Sequence, residues 1–448
     1  MRALWRSALG AACLTAAATT AGAQVATSRP TMTATRTTQE TTDFTVDGVR
    51  VILRHSAAND VVAANLYLLG GTQQLTPATQ GIETMLLVAS EHGTKRYSKT
   101  ALRAVMARLG SDIVIEPGVD WTMIGARSLR GTLDSTWAVL ADRVMAPRLD
   151  SNEVELVRAQ LVSEARTRRD SPDALVAALA DSARWSGHPY ALEPVGTEET
   201  ISRITLADLR RYRGEQMMTS RMLLVIVGNV DRPAAERLVR TTIGQLPRGT
   251  YQWKPPAALP PGRSTLTVAA RTLPTNYLLG YYGGPAASSP DYPALRVATA
   301  VLSGRLFSEI RSRRNLTYAV DAPFVERAMS VGGLYVTTTQ PALTLGLMQA
   351  EVARLQQEAL DPDGLERLVQ QFITEYFLNN ETNAAQANFL ARAVLYRGSA
   401  TAADRFVDEL RAVRPEDVMR VARTYMRGIR FAYVGDPALA PSREVAKF

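Results

Sequence analysis

Cysteine is all but missing. The 448 residues hold one, Cys13, inside an N-terminal stretch that reads as a removable signal. Once that stretch is gone, no disulfide and no thiol chemistry is available. Histidine is nearly as scarce: His55, His92 and His188 stand apart, and none falls into a metal-ligand or nucleophile-and-base spacing. Lysine occurs only as Lys95, Lys99, Lys254 and Lys447, so arginine carries most of the formal charge of +8. No dense basic block interleaved with aromatics is present, which argues against nucleic acid as a partner. No stretch has the length of a membrane-spanning helix, so a soluble mature chain is expected.

What is present is globular: 46% hydrophobic and 21% charged residues, in a chain long enough for two or more full cores. Arg2 and Arg6 make a positive start, residues 7–18 are small and apolar, and Ala21-Gly22-Ala23 fits a cleavage site. The sequence therefore predicts a signal peptide over residues 1–23, export to the periplasm or beyond, and a mature chain beginning near Gln24. Residues 24–42, rich in Thr, Ser and Ala, read as a disordered leader.

Phe44-Thr45-Val46 and Val49-Arg50-Val51-Ile52-Leu53 flank Asp47-Gly48, the pattern of a β-hairpin. Residues 61–69 predict a strand ending at Gly70-Gly71. A helix over 98–109 is capped by Ser98, and strands follow over 113–115 and 121–128. Helices are predicted over 133–146, 151–170 and 172–185. Thr205 with Asp208 caps another helix, and residues 223–228 form a buried strand. Pro247, Pro255, Pro256, Pro260 and Pro261 mark a linker over 246–263, dividing a domain of residues 43–245 from one of 264–448.

The second domain repeats the first. Tyr281-Tyr282-Gly283-Gly284 mirrors Leu68-Leu69-Gly70-Gly71. Leu360-Asp361 with Glu366 and Glu375 mirrors Leu149-Asp150 with Glu155 and Glu164, at one constant offset. Asp417-Val418 before Val434-Gly435 mirrors Asp208-Leu209 before Val227-Gly228. Four landmarks in one order indicate two homologous α+β halves.

The stretch Gly81-Ile82-Glu83-Thr84-Met85-Leu86-Leu87-Val88-Ala89-Ser90-Glu91-His92-Gly93-Thr94 is an apolar helical run between a Gly and a Gly-Thr. It resembles, without a gap, the signature helix of the pitrilysin/insulinase family of zinc metallopeptidases, which carries His-x-x-Glu-His. Thr84, Leu87 and Val88 stand at the matching positions. They share one helix face, but a hydroxyl and two aliphatics cannot hold zinc, so that face is expected to pack. Glu91-His92 comes four residues late for the motif and reads as a polar pair at the helix end. His188-Pro189-Tyr190, Gly196-Thr197-Glu198 and Ile204-Thr205-x-x-Asp208-Leu209 also resemble the family's first half.

The resemblance implies, for each half, a mixed β-sheet with helices packed on one face, and a clamshell-like pairing of halves around an unfolded peptide. Glu164 stands about where the family has its third zinc ligand. A lone carboxylate does not hold zinc, so a structural role is expected for Glu164 and its repeat partner Glu375, such as an ion pair. Val114-Ile115 replaces the Asn-Ala pair that opens the family's substrate-binding edge strand. Asp120 and Thr122 still match further on, and strand addition needs no Asn.

The run Ser303-Gly304-Arg305-Leu306-Phe307-Ser308-Glu309-Ile310-Arg311-Ser312-Arg313-Arg314-Asn315-Leu316-Thr317-Tyr318-Ala319-Val320 resembles the family's second half closely. In active members its final Arg and Tyr bind the substrate backbone and stabilise the oxyanion. Arg314 and Tyr318 match them, and both are suitable donors to developing negative charge. The plainer alternative is a surface arginine and a core tyrosine. The resemblance thus implies the zinc-free subunit of a heterodimeric peptidase: no cofactor in this chain, zinc in a homologous partner, and a peptide substrate between them. The alternative is an inactive pseudo-peptidase that binds peptides or scaffolds a cell-envelope complex.

Overall fold

Asp47 and Gly48 both take left-handed backbone angles, φ 49° and 88°, as a two-residue turn between twisted strands requires. They join β1 (Thr41–Val46) to β2 (Val49–His55) in an antiparallel pair. The computed structural model describes residues 40–448; the predicted signal peptide and the leader as far as residue 39 lie outside the described residues. The leader expected to reach residue 42 gives way earlier, because Thr41 and Thr42 pair with Arg54 and Leu53 and extend the hairpin.

The remaining strands are β3 (Val61–Leu69), β4 (Asp112–Pro117), β5 (Trp121–Leu129), β6 (Met222–Gly228), β7 (Thr265–Ala270), β8 (Asn276–Ala286), β9 (Val320–Asp321), β10 (Phe324–Val325), β11 (Met329–Thr338) and β12 (Arg430–Gly435). They build two six-stranded sheets. One runs β1-β2-β6-β3-β5-β4; the other runs β10-β11-β8-β12-β7, with β9 also on β11. Read backwards, β7-β12-β8-β11 repeats β2-β6-β3-β5 strand for strand. Each series contains one parallel pair, β2 with β6 and β7 with β12. The halves are therefore one mixed α/β fold built twice, and no helix or strand lies between Gln245 and Thr265.

The ladders correct one detail of the repeat. Tyr67 stands opposite Leu223 on β6, and Tyr281 opposite Arg430 on β12. Since Gly228 and Gly435 close their strands equivalently, Tyr281 corresponds to Tyr67, not to Leu68. Gly283-Gly284 lies inside β8, whose ladder with β11 carries an irregularity between Met329 and Val331. A one-residue slip would turn every side chain to the other face; in the observed register Tyr67 and Tyr281 point to equivalent cores.

Each sheet packs its own half's helices on one face, around two large apolar clusters. The other face is covered as well, by a helix from the opposite half. The first half's Pro172–Arg184 helix brings Val176 and Ala180 against Leu279, Tyr281, Ala432 and Val434. The second half's Asn383–Arg397 helix brings Ala387, Leu390, Ala391 and Val394 against Ile52, Tyr67, Leu223, Val225 and Val227. Helices on one face only were expected; the exchange adds the second layer. It also explains why β6 is buried at every position, as a strand covered on both sides must be. Among the described residues no helix is long and apolar enough to cross a membrane.

Candidate functional site

Gly81, at φ 83°, turns the chain into the Ile82–Ala89 helix. A Cβ there would lie 2.7 Å from the Cα of Gly196, so the two glycines let the 193–197 loop press against the helix start. Glu193 N–H donates to Gln80 Oε1 at 2.8 Å, and Thr84 Oγ1 donates to the Pro194 carbonyl at 2.7 Å. Thr84 and Leu87 are buried, and Val88 is half-buried against the core. The face that would present zinc ligands is thus occupied by the protein's own packing and by one hydroxyl–carbonyl bond. These residues do not fit the metal that the family's motif implies, since zinc takes imidazole, thiolate or carboxylate donors, and one neutral hydroxyl bonded to a carbonyl beside two aliphatics supplies none of these. Among the described residues, no group of three or more His, Cys, Asp or Glu side chains is arranged to hold a metal.

Glu164 is exposed on the Ser151–Asp170 helix, where it accepts from Gln160 Nε2 at 3.0 Å. Glu375 accepts from Gln371 Nε2 at 3.1 Å in the same way. The repeat is kept down to this side-chain pair, but the ion pair considered for these glutamates is not there: each bonds a neutral amide one turn away. Glu91 and His92 act as helix-end polar groups. Glu91 pairs with Arg143 at 2.9 Å, and His92 Nδ1 lies 2.5 Å from Glu153 Oε2, which also takes Lys99 at 2.6 Å. Hydrogen bonds from Lys99 and then His92 hold the Glu153 carboxyl below its ordinary value.

Sequence reasoning missed Glu83. It lies 3% exposed in the signature helix, 2.7 Å from Arg221, which is fully buried at the entry to β6. Tyr212 donates to the same carboxylate at 2.9 Å, and Arg221 Nε donates to the Leu69 carbonyl at 2.6 Å. Burial pulls the Arg221 guanidinium down, but Glu83 and Tyr212 outweigh that and leave it above its ordinary value. This ion pair ties the signature helix to the ends of β3 and β6. The available signal was an acid inside an apolar helical run.

Asp120, in the β4–β5 turn, is 2% exposed. It accepts from Tyr190, from Tyr396 at 2.7 Å on the exchanged helix, and from the Ala328 N–H at 3.0 Å in the second half. It is a bolt between halves. His188 accepts from the Tyr190 N–H at 3.1 Å through Nδ1 and faces the Ala257 carbonyl at 3.2 Å through Nε2, so neither ring nitrogen is left for chemistry. Val114 and Ile115 lie on β4, the edge strand of the first sheet.

Arg314 and Tyr318 share one loop of the second half. The Asp291–Leu306 helix widens into a π-helical turn, Phe307–Ser312, anchored by buried Ile310. Such turns are uncommon and concentrate at functional sites. Within it, Glu309 accepts from Arg314 Nε at 2.9 Å and from Arg314 Nη2 at 2.7 Å, and Arg313 Nη1 adds a third bond at 3.1 Å. Those hydrogen bonds, Arg314's first, hold the Glu309 carboxyl below its ordinary value. Asn315 then turns the chain at φ 51°. Thr317 is buried, its hydroxyl bonded to the carbonyls of Ala319 and Thr337. Tyr318, between that anchor and β9, is 85% exposed, and no large hydrophobic side chain among the described residues exceeds it. The core-tyrosine alternative is overturned. Thr84, Leu87 and Val88 belong to the first half's core, so one chain's fold keeps the two candidate regions in separate halves.

Two homologous halves, a helix whose Thr84, Leu87 and Val88 face is packed, and a projecting Arg/Tyr loop are features of a peptidase-like protein. Residues 50–198 match the insulinase (peptidase family M16) profile, and residues 203–372 the profile of the peptidase M16 inactive domain. The chain belongs to the insulinase/pitrilysin family. It is 23% identical over 396 residues, 84% of this chain and 93% of the other, to the uncharacterized zinc protease YmxG of Bacillus subtilis. It is also 23% identical over 416 residues, 88% of each chain, to the mitochondrial-processing peptidase subunit beta of Blastocladiella emersonii. The crystal structure of a peptidase M16 inactive domain from Pseudomonas fluorescens shares the fold with a TM-score of 0.81 at 18% identity, over 88% of this chain and 98% of that one.

Proposed function

We propose that this chain is the zinc-free subunit of an exported two-subunit metallopeptidase, lending Arg314 and Tyr318 to a peptide bound at a homologous partner's zinc. The observation that carries the reading is Tyr318: its ring is 85% exposed beside a buried threonine anchor, in the same loop as Arg314, where its phenol can meet a substrate. Arg314 stands in the same loop with its plane fixed by Glu309 through Nε and Nη2, leaving its other N–H groups to donate. A fixed guanidinium and a phenol would bind a peptide carbonyl and stabilise the oxygen on which charge develops. Similarity to a mitochondrial-processing peptidase subunit supports an assembled enzyme. Export rests on Ala21-Gly22-Ala23 and predicts an N-terminus near Gln24 in the periplasmic fraction.

The test is a fluorogenic-peptide assay on this chain reconstituted with the zinc-bearing homologue that co-purifies from its host. The chain alone should be inactive. Arg314→Ala or Tyr318→Phe should cut turnover of the complex by roughly 10²–10³, with co-elution on size exclusion unchanged. Full activity of the zinc subunit alone, or of a complex carrying both substitutions, would rule this out. A peptide-binding or scaffold protein of the envelope would then be the better reading.

A further inference from the structure

Away from the Arg/Tyr loop, the proline-rich connection lines, together with β8 and β11, a half-open cavity of about 560 Å³. Its walls include Arg184 and Trp185 from the end of the exchanged helix, Pro260 and Pro261 from the connection, Met329 from β11, and Arg427. No Asp or Glu lines it. Arg184 is 9% exposed and its Nε has no hydrogen-bond partner. Its Nη2 reaches only the Leu259 carbonyl, at 3.4 Å. Trp185 is 1% exposed, and its indole N–H is likewise unpartnered.

Buried donors of this kind are nearly always satisfied, and a buried cation is costly without an opposite charge. Burial first, and then the nearby Arg430 cation, pull the Arg184 guanidinium below its ordinary value. Nothing acidic in the cavity wall compensates. The place is nonetheless shaped around the guanidinium. It lies 4.8 Å over the Trp185 ring. Gly283 opposite leaves it room, since a Cβ there would stand 2.2 Å from Nη2.

We propose that this cavity is a binding site for a carboxylate carried on an apolar body: a small organic acid or the C-terminal residue of a peptide. The buried Arg184 guanidinium, with no acid in the cavity wall, asks for an anion, and the proline, methionine and indole walls ask for hydrocarbon behind it. Arg427, exposed at the rim, adds a second positive charge that draws an anion in.

Isothermal titration of the purified mature chain tests this with N-acetyl-L-leucine, N-acetyl-L-leucinamide, a tetrapeptide ending in leucine, and inorganic phosphate. N-acetyl-L-leucine should bind at least about tenfold more tightly than its amide, because the neutral amide brings no charge to pair with the Arg184 guanidinium. Arg184→Gln should abolish that difference. Arg427→Ala, on a rim side chain that supports no core, should weaken the acid several-fold while leaving the melting temperature unchanged. If the tetrapeptide binds as tightly as the acid, the occupant is a peptide terminus; if only the small acid binds, it is a free metabolite. Equal binding of acid and amide, displacement of the acid by phosphate at equal concentration, or no binding by any probe would each overturn the proposal.

Discussion

Removing Glu83 should unbalance the first half more than any other single side-chain deletion in its polar interior. The carboxylate is 3% exposed and Arg221 is fully buried, with 2.7 Å between them. Glu83→Ala leaves a guanidinium in the interior facing only the Tyr212 phenol and the Leu69 carbonyl. Breaking a buried pair by removing one partner costs about 3–5 kcal/mol, because the survivor stays desolvated and uncompensated. For a half of this size the melting point should fall by roughly 6–20 °C. Replacing both, as Glu83→Leu with Arg221→Met, should restore most of the loss, since an apolar pair of similar volume needs no compensation. Differential scanning calorimetry of the mature chain measures the single and double variants. A shift below about 2 °C for Glu83→Ala, or a double variant no better than the singles, would refute the reasoning.

Asp120→Asn should cost about 1–3 kcal/mol, because both carboxyl oxygens accept, one from Tyr190 and the other from Tyr396 and Ala328, and the amide nitrogen that replaces one of them cannot accept. Burial pushes the Asp120 carboxyl above its ordinary 3.8 against those hydrogen bonds. Its ionised form is therefore the less favoured one in the folded state. Its contribution is fully present below 3.8 and declines as pH rises through the raised value; paired thermal melts of wild type and variant across the acid range should show the gap narrowing upward. Metal analysis after dialysis should find no stoichiometric zinc, as expected of Thr84, Leu87 and Val88 at the ligand positions. About one zinc per chain, lost with Glu164→Gln, would contradict the packing of that helix.

Local chemistry alone determined much of the scaffold. The Asp47-Gly48 turn follows from which residues tolerate left-handed backbone. The Ser98 cap and the Thr205/Asp208 capping box depend only on side chains within a few residues of the backbone they bond. The strand over Val61–Leu69 was legible end to end, because an apolar run stopping at Gly-Gly needs no distant partner to be recognised. So was the repeat, which is a statement about residue type at a spacing.

Tertiary structure decided the rest, and in each case the deciding atoms are far apart in the chain. Glu83 finds Arg221 and Asp120 finds Tyr396 only when separate segments pack, so neither pairing leaves a trace in local pattern. The unbroken apolar run of β6 signalled two covered faces, but not that Asn383–Arg397 would cover the second. Matching glycines pair Tyr281 with Leu68 across the repeat, one residue from Tyr67, the position that the ladder with β12 sets. Tyr318 could have been core or surface on its sequence. It projects because Thr317 beside it is anchored to the carbonyl of Thr337, a strand away, and a side chain's exposure is fixed by what the neighbouring backbone is tied to.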